Sequence, residues 1–259
     1  MNKNGGWVRT AVGTLAVCGL LFLPACNKKE EQPTAQPAAA PPATPIDPAT
    51  VATIDGTVRF VGKAPNEMKI DMSQDPACQG TNEAENIVVD KGDLANVFVY
   101  VKDGLDNRTF DVPKDAVVLT QQGCKYHPHV LGVMVGQMVE IKNEDKTTHN
   151  VHPAPRDNRE WNESQPPSAA PLEKSFAHQE IMVPVKCNLH PWMTMYINVV
   201  KNPFYAVTDK DGKYEIKGLP PGDYTIAFVQ ERLGEQDEKV TVGPKETKTV
   251  DASFKPEVE

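Results

Sequence analysis

The chain has 259 residues, with 27 Lys and Arg against 35 Asp and Glu and a formal net charge of −8. That balance argues against nucleic-acid binding, which needs a basic face. Hydrophobic residues at 39% and charged residues at 24% are ordinary for a globular protein, and the length allows one large folded domain or two small ones.

The N-terminus reads as a targeting segment. Lys3 and Arg9 precede an apolar run over 10–23, and Leu23-Pro24-Ala25 leads into Cys26. A positive start, a short apolar stretch and small residues before a cleavage point make a secretory signal, and the run is too short for a good membrane span. Cys26 after Leu-x-Ala resembles a bacterial lipobox, which implies a signal peptide over 1–25, lipidation of Cys26 and an extracytoplasmic, membrane-anchored protein. An ordinary secreted protein with an incidental Cys26 is the alternative. Residues 26–50 carry Pro33, Pro37, Pro41, Pro42, Pro45 and Pro48 among Ala, Thr and Gln, a tether with nothing to bury. Loss of Lys3 and Arg9 with the leader makes the remainder more acidic still, near −10. If those acids cluster, they favour a partner with a basic docking face.

From Val51 the signals are for strands. Alternating or β-branched runs occur at 57–61, 95–101, 117–119, 130–135 and 138–141, the last two separated by a turn at Gly136-Gln137. Further runs lie at 181–183, 196–200, 214–216, 224–229 and 239–242. Short runs between Gly, Pro, Asn and Asp predict an all-β sandwich architecture. Residues 156–172 are polar and Pro-rich and predict a long surface loop. About 210 residues after the tether exceed what a single sandwich usually needs, so two modules are expected.

Two segments carry the chemistry. One is Glu144-Asp145-Lys146-Thr147-Thr148-His149-Asn150-Val151, and the other is Cys187-Asn188-Leu189-His190-Pro191-Trp192-Met193. One thiolate, two imidazoles and a thioether are the donor set of a mononuclear type 1 copper site, with Cys and two His in a plane and Met weakly on the axis. Cys187, His190 and Met193 share one loop between two strand-like runs, and His149 follows a different strand. The Cys187-x-x-His190-Pro-Trp-Met193 loop, with Tyr126-His127-Pro128, Gly136 to Val139, Asn143-Glu144-Asp145 and His149-Asn150-Val151, resembles the cupredoxins amicyanin, plastocyanin and pseudoazurin over about 123–200. The resemblance implies a Greek-key cupredoxin sandwich, one copper ion on His149, Cys187, His190 and Met193, and one-electron transfer. Plastocyanin spacing would select Met195 instead of Met193.

With Cys187 given to copper, Cys78 and Cys124 are left as the disulfide pair, with two free thiols as the alternative. His127 and His129 share a face if extended, so they read either as a second metal site or as structural residues. His152 competes with His149 as ligand, but the resemblance places the ligand before Asn-Val. His178 reads as a surface residue. Trp192 and Pro191 form either an apolar rim at the exposed edge of His190 or inward packing for the loop.

Residues 204–216 and Leu219-Pro220-Pro221-Gly222-Asp223-Tyr224 resemble the carboxypeptidase regulatory-like (transthyretin-like) sandwich, which implies no peptidase activity. Asp209 and Asp211 read as turn chemistry rather than calcium ligands. The module's first strands are expected at the other end of the chain, where Gly56-Thr57-Val58 and 95–101 resemble them. The expected division is therefore 51–107 and 204–259 for the regulatory-like sandwich and 108–203 for the cupredoxin, inserted into it. An appended C-terminal module is the competing arrangement. No nucleophile–base motif, phosphate loop or haem motif points to an enzyme. The expected partners are redox proteins such as cytochromes or a respiratory complex, with copper delivery or a metal-free scaffold role as alternatives.

Overall fold

The structure, a computed structural model, describes residues 42–256 apart from 67, 79–81 and 106–107. The expected leader, Cys26 and most of the tether lie outside the described residues. No helix among the described residues is long and apolar enough to cross a membrane.

The described chain is built from strands. Those before residue 110 are β1 (Ala52–Phe60), β2 (Lys69–Ile70), β3 (Asn82–Glu83), β4 (Val89–Asp90), β5 (Asp93–Leu94) and β6 (Phe98–Asp103). The central segment contributes β7 (Val117–Gln122), β8 (Lys125–His127), β9 (Val130–Met134), β10 (Val139–Asn143), β11 (His149–Pro153), β12 (Glu163–Gln165), β13 (Leu172–Lys174), β14 (Glu180–Lys186) and β15 (Thr194–Val200). The remainder are β16 (Tyr205–Val207), β17 (Lys213–Leu219), β18 (Gly222–Gln230), β19 (Gly234–Val242), β20 (Thr247–Thr249) and β21 (Ala252–Phe254).

The central strands form two sheets, in the orders β13-β10-β7-β8 and β12-β11-β14-β15-β9. β7 runs parallel to β10 and β9 parallel to β15, so the Gly136-Gln137 turn carries the chain from one sheet to the other rather than closing a hairpin. Leu119, Ile141, Val151, Val183, Val185, Ile197 and Val199 fill the space between the sheets and are fully buried or nearly so. Each such side chain contributes about 1.5–3 kcal/mol relative to exposure.

The outer strands also form two sheets. One runs β17-β1-β5-β4 with β20 and β21 also on β1, and the other is β16-β6-β18-β19. Alternation places Tyr214 and Ile216 of β17 inward, beside Ile54 and Val58 of β1. Chain from before the central segment thus pairs directly with chain from after it: Ile54 faces Ile216, and Val99 faces Phe228. Asp209 accepts backbone N–H bonds from Asp211 and Lys213 through Oδ1, and Gly212 takes a φ of 66°, which is turn chemistry at the β16–β17 connection.

A smaller apolar cluster joins the two sandwiches, with Phe98, Tyr100, Ala227 and Val229 from the outer strands and Val130 and Val200 from the central ones. His129 bonds Glu231 at 3.2 Å in the same region, and both side chains are buried.

The expected loop at 156–172 differs from the structure. It contains β12, which pairs with β11 so that Gln165 faces His149. Within β12 the buried side chain is polar. Gln165 is fully buried, with Oε1 accepting from Gln121 and Nε2 donating to the Ile141 carbonyl. Buried amides satisfied in this way leave no hydrophobic pattern to read.

Candidate metal centre

His149 opens β11 and is fully buried, whereas Cys187, His190 and Met193 lie on the loop from β14 to β15, each no more than 4% exposed. The loop closes on itself. The Met193 N–H donates to the His190 carbonyl at 2.9 Å, and the Cys187 N–H donates to the Met193 carbonyl at 3.1 Å. Asn150 then clamps it from β11: its Oδ1 accepts from the N–H groups of Asn188 and Leu189 at 2.7 and 3.3 Å. The Asn150 N–H points at the Cys187 sulfur at 3.5 Å.

The donor atoms converge. His149 Nδ1 lies 2.9 Å from His190 Nδ1, and Cys187 Sγ lies 3.7 Å from that same His190 nitrogen. The three ligand atoms fall within 4.8 Å of one another. Both outer ring nitrogens are occupied by carboxylates: His149 Nε2 meets Asp145 Oδ2 at 2.8 Å, and His190 Nε2 meets Asp75 Oδ2 at 2.9 Å. A carboxylate only accepts, so each Nε2 carries the ring proton and each Nδ1 of a neutral ring presents a lone pair. Burial pushes His149 toward its neutral form, and the Asp145 bond opposes that. Two buried lone pairs at this separation repel unless a cation sits between them, either a proton or a metal ion.

The donor set fits a metal. Ligand nitrogens about 2 Å from an ion in a trigonal plane stand roughly 3.5 Å apart, so the Sγ–Nδ1 spacing already suits one and the Nδ1–Nδ1 spacing needs a small opening. Met193 and Met195 are both buried. Met195 lies within the β14–β15 ladder opposite Val185, whereas Met193 belongs to the loop that holds Cys187 and His190.

The β7–β8 hairpin braces the centre. Its two turn residues, Gly123 and Cys124, both have positive φ, at 62° and 56°, and their N–H groups donate to the two oxygens of Asp145. Cys124 also forms a disulfide with Cys78, and its carbonyl accepts from Trp192 Nε1 at 3.2 Å. Trp192 is half-buried and lies against the His190 ring, with centroids 5.2 Å apart. It therefore packs the loop, and the outer nitrogen of His190 meets Asp75.

Three other histidines stand apart. His127 bonds the Gln122 carbonyl, His129 turns to Glu231, and His152 engages Glu160 and Asn188. None of the three joins a metal-competent cluster of three or more side chains among the described residues. Asp75, Asp145 and Asn150 were not singled out as site residues from sequence. The Asn143-Glu144-Asp145 and His149-Asn150 stretches carry a signal for the last two, but nothing local marks Asp75.

Residues 196–255 match the family model of the carboxypeptidase regulatory-like domain. No curated protein matches the chain. Among solved structures, a copper-containing nitrite reductase from Thermus scotoductus SA-01 is 19% identical over 38% of this chain and 24% of its own, with a TM-score of 0.32. The chain thus spans about a quarter of that protein. A reduced amicyanin variant is 25% identical over 34% of this chain and 86% of its own, with a TM-score of 0.30. A purple cupredoxin from Nitrosopumilus maritimus is 21% identical over 33% of this chain and 99% of its own, with a TM-score of 0.28.

Proposed function

We propose that His149, Cys187 and His190, with Met193 on the axis, hold one type 1 copper ion, and that the chain carries single electrons between redox proteins. The reading extends to an extracytoplasmic protein anchored through Cys26, with cytochromes or a respiratory complex as partners and no enzymatic reaction of its own. One observation carries it: two buried imidazoles, each with its outer nitrogen on a carboxylate, aim their free nitrogens at one buried thiol. A single thiolate with two imidazoles and a nearby thioether suits copper better than the closed four-ligand sets of structural zinc.

Bound copper would supply a one-electron couple. The chain's residues keep the donors in place in both oxidation states: Asn150 holds the loop amides, and Asp145 and Asp75 hold the rings. Little then rearranges when an electron arrives or leaves. The burial of all three strong donors weighs against copper delivery, because handing over an ion requires ligands a recipient can reach.

The test is the absorption and EPR spectrum of the copper-loaded protein. The expected result is an intense thiolate-to-copper visible band that Cys187→Ala abolishes. A band that persists in that variant overturns the assignment. Slow exchange of electrons with every cytochrome tried, from a protein that does bind copper, would favour the delivery reading.

A further inference from the structure

We infer that Asp75, on a strap over 71–78 far from His190 in the chain, is a positioning residue of the metal centre: it fixes His190 as an Nδ1 donor and closes the outer edge of that ring. The inference rests on the copper reading and deepens it. Asp75 stands 115 residues before His190, on the connection between β2 and β3. That connection is pinned on both sides of it. Met72 is buried in the core of the central sandwich, and Cys78 is bonded to Cys124.

Between the two pins the backbone turns tightly. The Asp75 N–H donates to the Met72 carbonyl, the Cys78 N–H donates to the Asp75 carbonyl, and Asp75 Oδ1 accepts from the Ala77 N–H at 2.8 Å. The remaining oxygen, Oδ2, accepts from His190 Nε2 at 2.9 Å and from Thr147 Oγ1 at 2.8 Å. One carboxylate oxygen therefore ties together the strap, the ring of His190 and the loop that leads into His149.

The arrangement mirrors Asp145 on His149, with one difference. Asp145 lies four residues from its histidine, whereas Asp75 is brought to His190 by a segment that interrupts the outer sandwich. A carboxylate on the far nitrogen fixes the tautomer and makes the ring a stronger donor, and loss of such a partner costs about 10–100-fold in metal affinity. A stronger donor favours the more highly charged ion, so the strap also lowers the reduction potential of the centre.

The test compares the full chain with Asp75→Asn, Asp75→Ala and Asp75→Glu. Copper(II) affinity is read by competition with a chelator, reduction potential by voltammetry, and folding by thermal unfolding of the metal-free proteins. Asp75→Asn keeps the shape and one acceptor oxygen for the Ala77 N–H, and the Thr147 hydroxyl can turn to accept from the new amide, so its metal-free stability should stay close to that of the parent. The expected result is a thiolate band retained in Asp75→Asn, affinity lowered about 10–100-fold and potential moved positive. Asp75→Glu, which keeps the charge, should recover most of the affinity. Parental affinity and potential in both Asp75→Asn and Asp75→Ala overturn the inference while leaving the copper reading intact. A loss of metal-free stability with unchanged potential also overturns it, since that marks a purely structural strap. Absence of the band in the parent protein overturns the copper reading itself, and this inference with it.

Discussion

Asn150 follows His149 on β11 and accepts, through one side-chain oxygen, the amides of Asn188 and Leu189, while its own N–H faces the Cys187 sulfur. Its Nδ2 donates to Asn162 at 2.6 Å. Asn150→Ala leaves two loop amides without a partner, each worth about 1–3 kcal/mol where water cannot replace it. The expected outcome is a lower urea midpoint for the metal-free protein and faster release of copper to a chelator. Unchanged release would mean that the loop is held by its own turn alone. At this scale the side chains that converge were legible from sequence, because a thiol, an imidazole and a thioether in one short segment are rare and chemically specific. Of the carboxylates behind them, Asp145 lies in a stretch that carried a signal, and Asp75 does not. Asp and Glu are abundant on polar loops, and only contact across more than a hundred residues gives Asp75 its role.

At the scale of elements, the runs that alternate in hydrophobicity became strands, as at β1, β6, β10, β15, β17 and β18. The polar strand β12 was not legible, because it pairs with β11 through its backbone and buries amides rather than apolar groups. The turn at Gly136-Gln137 was legible, but its consequence was not: Gln137 Oε1 accepts the Met134 N–H, and the strands on either side enter different sheets. Gly132 on β9 marks the junction of the two sandwiches. A Cβ there would lie 2.4 Å from the Tyr205 ring and 2.9 Å from Phe98. Gly132→Ala therefore forces the two sandwiches apart and should cost about 1–3 kcal/mol, read as a lower urea midpoint. Adding Tyr205→Ala should return part of that loss, a coupling measurable in a double-mutant cycle. Strict additivity would place the strain elsewhere.

Residues 42–256 form an interrupted sandwich. β1 draws its partners β17, β20 and β21 from the far end of the chain, and β6 draws β16 and β18. Deleting 204–259 removes all of these and opens the core that Ile54, Val58, Val99 and Val101 share with Ile216, Ile226 and Phe228. The expected outcome of limited proteolysis is that no stable fragment spanning 208–254 is released. Recovery of such a fragment in folded form would show that the C-terminal strands stand alone. The sequence by itself determined the all-β class and pointed to the two kinds of module and to His149, Cys187 and His190, which the structure gathers, because strand periodicity and ligand chemistry are properties of short stretches. Which strands share a sheet was decided by the tertiary structure alone. So was the meeting of Asp75 with His190. Each depends on residues far apart in the chain being held together by burial and pairing, and no local pattern encodes that.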